Sequence, residues 1–189
     1  MAYTFETPSL GYHPIAATLA ATTGITQGAT TVYPATAVAR IPGSDPGAIV
    51  RASDPLLGEG EFIYLQGVAS TVVGSVVTWD GITSGAATYQ TALAPATANL
   101  GKPLAVAMSA NLAGAWGWYQ IAGHAVVATN GTVSGAGVKL FLAGSGQVTS
   151  TAGAGLQING ATAESATGTP AAGQCYALLE RPVAQGQIT

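Results

Sequence analysis

A chain of 189 residues has the length of one medium domain, or of a smaller domain with a long extension. Only 7% of it is charged and 48% is hydrophobic, with 26 glycines and a net charge of −3. An ordinary soluble domain carries roughly a quarter charged residues, so this surface is either coated in neutral Thr, Ser, Gln and Asn or hidden in an assembly. The composition fits both.

The five cations, Arg40, Arg51, Lys102, Lys139 and Arg181, are scattered. Nucleic acid and anionic membrane surfaces are engaged by clustered cations, so neither is expected as a partner. Between Ile82 and Ala163 the only charges are Lys102 and Lys139. Mean hydropathy is +0.39, yet no apolar run approaches the length of about 18 residues that a spanning helix needs. The opening "MAYTFETPSL" has no basic stretch followed by an apolar one, so no secretory signal is expected. The single cysteine, Cys175, allows no intrachain disulfide, which fits synthesis in a reducing cytoplasm.

Residues 1–57 read as an extended arm. Six of the ten prolines, Pro8, Pro14, Pro34, Pro42, Pro46 and Pro55, interrupt every candidate element there, each removing a donor and pushing its predecessor toward extended geometry. Tyr3, Phe5, Tyr12, Ile15 and Tyr33 make the arm adhesive. At about 3.3 Å per residue it could reach neighbouring molecules.

Residues 58–189 read as a β-rich body. "EFIYLQGV", "STVVGSVVTW", "LAVAM", "WGWYQIAG", "HAVVAT", "VKLFLA", "LQING" and "QCYALLER" are rich in β-branched and aromatic residues, at spacings typical of a sandwich or barrel. "WDGITSG", Asn130–Gly131 and Asn159–Gly160 are candidate turns, the last two of the tight type that takes positive φ at both central residues. "TYQTALAPATANLG" is the one helical candidate, with Leu93, Thr97 and Leu100 at helical spacing and Pro95 limiting its length. Residues 143–173, mostly Gly, Ala, Ser and Thr, predict short strands and loops.

No constellation for catalysis or metal binding is evident. His13 and His124 are about 110 positions apart and there is no G-x-S-x-G turn, so a Ser-His-Asp device has little to stand on. Glu59 and Glu61 share one face of a strand and read as a solvated strand start. Cys175, in an apolar strand without a nearby cation, reads as a small buried filler. No cofactor is expected.

The densest aromatic stretch is "AWGWYQIAGHAVV", Ala115–Val127. In a strand, Trp116 and Trp118 point to one face and Tyr119 and Ile121 to the other. Trp79, Trp116, Trp118 and Tyr119 are therefore candidates for the core or for an interface, where Trp and Tyr are favoured. An exposed tryptophan pair could also stack on a sugar ring, although hydrogen-bonding side chains for hydroxyls are scarce nearby.

The segments "PGAIVRASDPLLGEGEFIYLQGVASTVVGSVVTWD" and "VAMSANLAGAWGWYQIAGHAVV" resemble the head decoration, or capsid cement, proteins of tailed bacteriophages, over roughly Gly47–Ala128. The resemblance implies an all-β protein, with a small β-barrel or β-tulip-like body and an extended N-terminal arm. It implies a non-enzymatic virion protein on the outer capsid surface, commonly a homotrimer, that clamps adjacent subunits of the major capsid protein. On that reading Tyr3, Phe5, Tyr12, Tyr33, Arg40 and Arg51 would form the arm's capsid contact. Two other functions fit the residues less well: a tail or fibre module binding glycans through Trp116 and Trp118, and a hydrolase using His124 with Glu61 or Asp80.

Overall fold

The computed structural model describes residues 45–187 and, nearer the N-terminus, the backbone of four two-residue strands. These are β1 (Thr4–Phe5), β2 (Thr18–Leu19), β3 (Thr26–Gln27) and β4 (Thr30–Thr31). The rest of the expected arm before residue 45, including Tyr3, Tyr12, Tyr33 and Arg40, lies outside the described residues. Among those described, the protein is all-β and contains no helix.

The body begins with β5 (Ile49–Asp54) and β6 (Gly58–Gln66), which pair antiparallel from Ile49↔Ile63 to Asp54↔Gly58. Arg51, read from the sequence as part of the arm, thus sits in the sheet opposite Glu61. Next come β7 (Val76–Thr83), β8 (Ala86–Leu93), β9 (Leu104–Ala107) and β10 (Trp116–Ala128). Strands β6, β8, β7, β9 and β10 follow one another around a partial ring, because β10 also pairs with β6. The seam is narrow. It consists of the parallel pairing Gln66↔Gln90, reinforced by Thr91 Oγ1 donating to the Gln66 carbonyl at 2.8 Å.

A second set of strands continues from β10: β14 (Gln174–Ala184), β13 (Gln157–Ala163), β11 (Lys139–Gly144) and β12 (Gln147–Thr149). The parallel bridge Thr129↔Val148 carries β12 back toward the end of β10. β10 therefore serves both halves: Trp116–Gly123 pairs with β6 and Ala122–Ala128 with β14, the two pairings overlapping at Ala122 and Gly123.

Side-chain alternation along these strands produces three cores. Ile63, Leu65, Val77, Ala105, Ala107, Tyr119 and Ile121 fill the ring. On β7 and β9 the intervening residues Val76, Leu104 and Val106 face outward and pack with Val127, Leu140, Leu142, Val148, Ile158 and Leu179 of the second set. The third core, Ala52, Phe62, Tyr64, Met108, Trp116 and Trp118, lies on the outer face of β5, β6 and β10. The division of Trp116 and Trp118 from Tyr119 and Ile121 follows the two-residue period of a strand.

Several local expectations are corrected. The helical candidate is strand β8 and an irregular segment: Thr88, Tyr89 and Thr91 suit a pleated surface, and β8 pairs with β7 from Val77↔Leu93 to Thr83↔Ala86. The turn expected in "WDGITSG" is present, with its reversal at Ser84–Gly85 and φ of 53° and 81°, while Asp80 and Gly81 accompany a register shift. Asn159–Gly160 is likewise a bulge inside β13, and at Asn130–Gly131 only the glycine has positive φ. Ser145–Gly146, with φ of 52° and 72°, turns β11 into β12. Ser-Gly takes the place that Asn-Gly was expected to hold.

Gly123 marks the handover on β10. Its φ is +93°, and a Cβ there would lie 2.3 Å from the Glu59 carbonyl oxygen. Gly123→Ala combines an unfavourable backbone conformation with a collision against backbone that cannot swing aside, and should cost about 2–4 kcal/mol. Chemical denaturation of the two proteins checks this.

Candidate functional site

Three features of the described body could engage something outside it. The first is the ion-pair cluster at the start of β6. Glu61 Oε2 accepts from Arg181 Nη2 at 2.8 Å and from Arg181 Nε at 3.0 Å, while its Oε1 accepts from Arg51 Nη2 at 3.3 Å. The cluster borders an open hollow of about 280 Å³ lined by Arg51, Glu59, Gly60, Glu61, Ala122 and Gly123. Hydrogen bonding from Arg181 lowers the Glu61 pKa; partial burial opposes it, and Arg51 adds to the lowering. Glu61 is thus held as an anion between two guanidinium groups, an arrangement that ties β5, β6 and β14 together.

His124 and the carboxylates weighed as its catalytic partners each make other contacts. His124 Nδ1 lies 2.7 Å from Glu164 Oε2, Asp80 accepts from Lys102 Nζ at 2.7 Å, and Glu61 is committed to the two arginines. No group of three or more His, Cys, Asp or Glu side chains suited to a metal ion occurs among the described residues. No helix of the described residues is long and apolar enough to cross a membrane.

The second feature is an apolar hollow of about 440 Å³ lined by Asp54, Pro55, Leu56, Leu57, Val126, Pro170 and Tyr176. Asp54 Oδ1 shapes its rim by accepting from the amides of Leu56 and Leu57 at 2.8 and 3.0 Å. This side-chain-to-backbone turn pushes Leu56 outward, 81% exposed.

The third is the end of the ring where the 67–75 and 108–115 loops meet. Gly67 N donates to the Ala115 carbonyl at 2.6 Å and Gly114 N to the Gly67 carbonyl at 2.9 Å. Asn111 is buried in the joint, where Cβ atoms on Gly67 and Gly117 would meet it at 2.6 and 2.5 Å. Neither loop contains a charged residue. Val72, Val73 and Leu112 are exposed on them.

The tryptophans proposed from the sequence lie in or beside the cores. Trp118 is fully buried, Trp116 is 7% exposed and Tyr119 is fully buried; Trp79 is half-buried against the ring core, stacked on Tyr89 with centroids 6.3 Å apart. Tyr64 stacks on Trp116 at 5.8 Å and tilts against Trp118 at 4.9 Å. Folded this way, the two indoles offer no open face to a sugar ring. Burial raises the Tyr119 pKa. The Glu61–Arg181 pair was not foreseen: its members are 120 positions apart and no local pattern announces them.

No family model matches the chain, and no curated protein matches it.

Two measurements follow from these environments. A carboxylate whose pKa is lowered by folding stabilises above its ordinary value of 4.5, and that contribution is lost as pH falls through the lowered value. Glu61→Gln should therefore reduce stability at neutral pH and flatten its decline below pH 4.5, read as Tm against pH. The Cys175 thiol is buried and pushed up to about 11. Iodoacetamide at pH 8 should leave it unmodified in the folded protein and label it fully in denaturant, as mass spectrometry would register.

Proposed function

We propose that this protein is a non-enzymatic virion component of the tailed-bacteriophage head decoration type. It would sit on the outer capsid surface, after synthesis in the host cytoplasm, and bridge adjacent major capsid protein subunits. The sequence resemblance over Gly47–Ala128 suggests the family and the trimeric state. The observation that carries the reading to this molecule is the pair of charge-free loops, 67–75 and 108–115, on which Val72, Val73 and Leu112 are exposed. Residues of this kind stabilise a complex by leaving water when a protein surface covers them. The low charge of the whole chain supports the same conclusion.

A clamp that binds assembled shells but not loose subunits stabilises the shell by mass action. Repetition across a lattice strengthens modest contacts, since each engaged site raises the effective concentration at the next. Leu56, on the rim of the second hollow, gives the body another apolar point on its surface.

The test is co-sedimentation of the purified protein with empty shells assembled from the major capsid protein of the same virion, with unassembled subunits as control. Saturable binding to shells alone is expected. Leu112→Asp, at a side chain 66% exposed, should leave Tm nearly unchanged and weaken shell binding about ten-fold, or about 1.4 kcal/mol. Failure to bind shells would overturn the reading; an unaltered affinity for Leu112→Asp would move the contact away from this loop end.

A further inference from the structure

We infer that Asn130 is a site of spontaneous covalent modification, where the Gly131 amide nitrogen attacks the Asn130 carboxamide and leaves aspartate or isoaspartate. The fold presents this Asn-Gly pair for reaction and shields the chain's other one, Asn159–Gly160.

The chemistry begins in the sequence. The main-chain nitrogen that follows an asparagine can close a succinimide ring on the side-chain Cγ, and a side chain on the next residue obstructs that approach. Glycine has none and rotates freely. A bond forms between Gly131 N and Asn130 Cγ, and the Cγ–Nδ2 bond breaks. Nδ2 departs as ammonia, taking up the proton that Gly131 N gives up. Water then opens the succinimide. Attack at Cγ gives aspartate; attack at the main-chain carbonyl gives isoaspartate, in which the chain runs on through the former side chain. One water is consumed, one ammonia is released, and nothing is oxidised or reduced. The new carboxyl group is ionised at neutral pH.

The structure leaves both reacting groups of the first pair unengaged. Asn130 and Gly131 are exposed and lie outside the strands. Asn130 follows the bridge Thr129↔Val148, and its own amide donates to the Val148 carbonyl at 2.9 Å. The Gly131 carbonyl accepts from Thr167 Oγ1 at 3.2 Å. Between these anchors, neither the Gly131 amide nor the Asn130 side chain makes a hydrogen bond among the described residues. Space is open as well: a Cβ on Gly131 would find Thr149 Oγ1 nearest, at 4.0 Å. The peptide that joins the pair can therefore turn without breaking a ladder pairing.

The second pair is held in the sheet. Asn159 lies on β13 opposite Val183, and its Oδ1 accepts from Gln157 Nε2 at 3.5 Å. A Cβ on Gly160 would lie 2.7 Å from the Glu180 carbonyl oxygen, so the backbone of β14 stands against the peptide that would have to rotate. Attack there requires β13 and β14 to part first, which slows it by the small fraction of time the sheet is open.

The products alter a neutral region. Between Ile82 and Ala163 the only charges are Lys102 and Lys139, so the reaction sets a carboxylate in a stretch that has none. Isoaspartate also adds a main-chain carbon between the anchor at Val148 and the next one, where the Val133 amide donates to Thr167 Oγ1 at 2.8 Å.

The experiment incubates the purified full chain in mildly alkaline buffer, with a second portion kept unfolded in urea. Both sites are followed by peptide mass spectrometry after cleavage at Lys139, which separates them. In urea the two pairs should react alike. In the folded protein Asn130 is expected to convert at least about ten-fold faster than Asn159, since only Asn159 waits for the sheet to open. The products carry the mass increase of NH2 replaced by OH and run as acidic species on ion exchange. Asn130→Gln, whose longer side chain closes the ring poorly, should remove the fast-forming acidic species. Survival of Asn130 in the folded protein while the urea sample converts would overturn the inference. Equal rates at the two sites in the folded protein, or acidic species forming as fast in Asn130→Gln, would also sink it.

Discussion

The structure depends on one strand serving two sets of partners. β10 runs thirteen residues from Trp116 to Ala128, about twice the usual strand length, and both halves of the body are built on it. Its first half closes the ring against β6, and its second half carries β14 and the strands beyond. Since antiparallel pairing sets register residue by residue, the position of β10 in one half determines its position in the other. The bulge between Gln120 and Ala122 and the left-handed backbone at Gly123 accommodate the change of partner. Buried Gln120 holds the junction, its Nε2 donating to the Ala122 and His124 carbonyls at 3.1 and 2.9 Å.

Sharing a strand also explains how a chain so poor in charge forms an ordered body. Each of β6, β7, β9 and β10 contributes side chains to cores on both of its faces. Nearly continuous apolar runs such as "FIYL" and "LAVA" are what a strand buried on both sides requires. The few charges are placed where they join elements. Glu61 links two arginines from different strands, and Lys102 joins the approach to β9 to Asp80 of β7. Exposed pairs of this kind contribute little stability individually, so the hydrophobic cores carry the fold.

These features suit a protein whose surface meets other protein. The 67–75 and 108–115 loops are uncharged and carry the exposed side chains of Val72, Val73 and Leu112.

The all-β class, most of the strands and the two faces of the Trp116–Ile121 stretch were legible in the sequence because a two-residue side-chain period is written locally. The small buried role of Cys175 was legible for a similar reason, its apolar neighbours being adjacent in the chain. Turn placement was only partly legible. Asn-Gly at 159–160 became a bulge because register with β14 required an extra residue there, and Ser-Gly pairs made the reversals instead. The "TALAPATANL" spacing read as helix because propensity could not register that β7 stood ready to pair with β8. What only the tertiary structure decided was long-range: Glu61 meeting Arg181, β10 shared between two halves, and β5 joining the body. Each brings together residues far apart in the chain, where the deciding free energy belongs to a pairing and not to either segment alone.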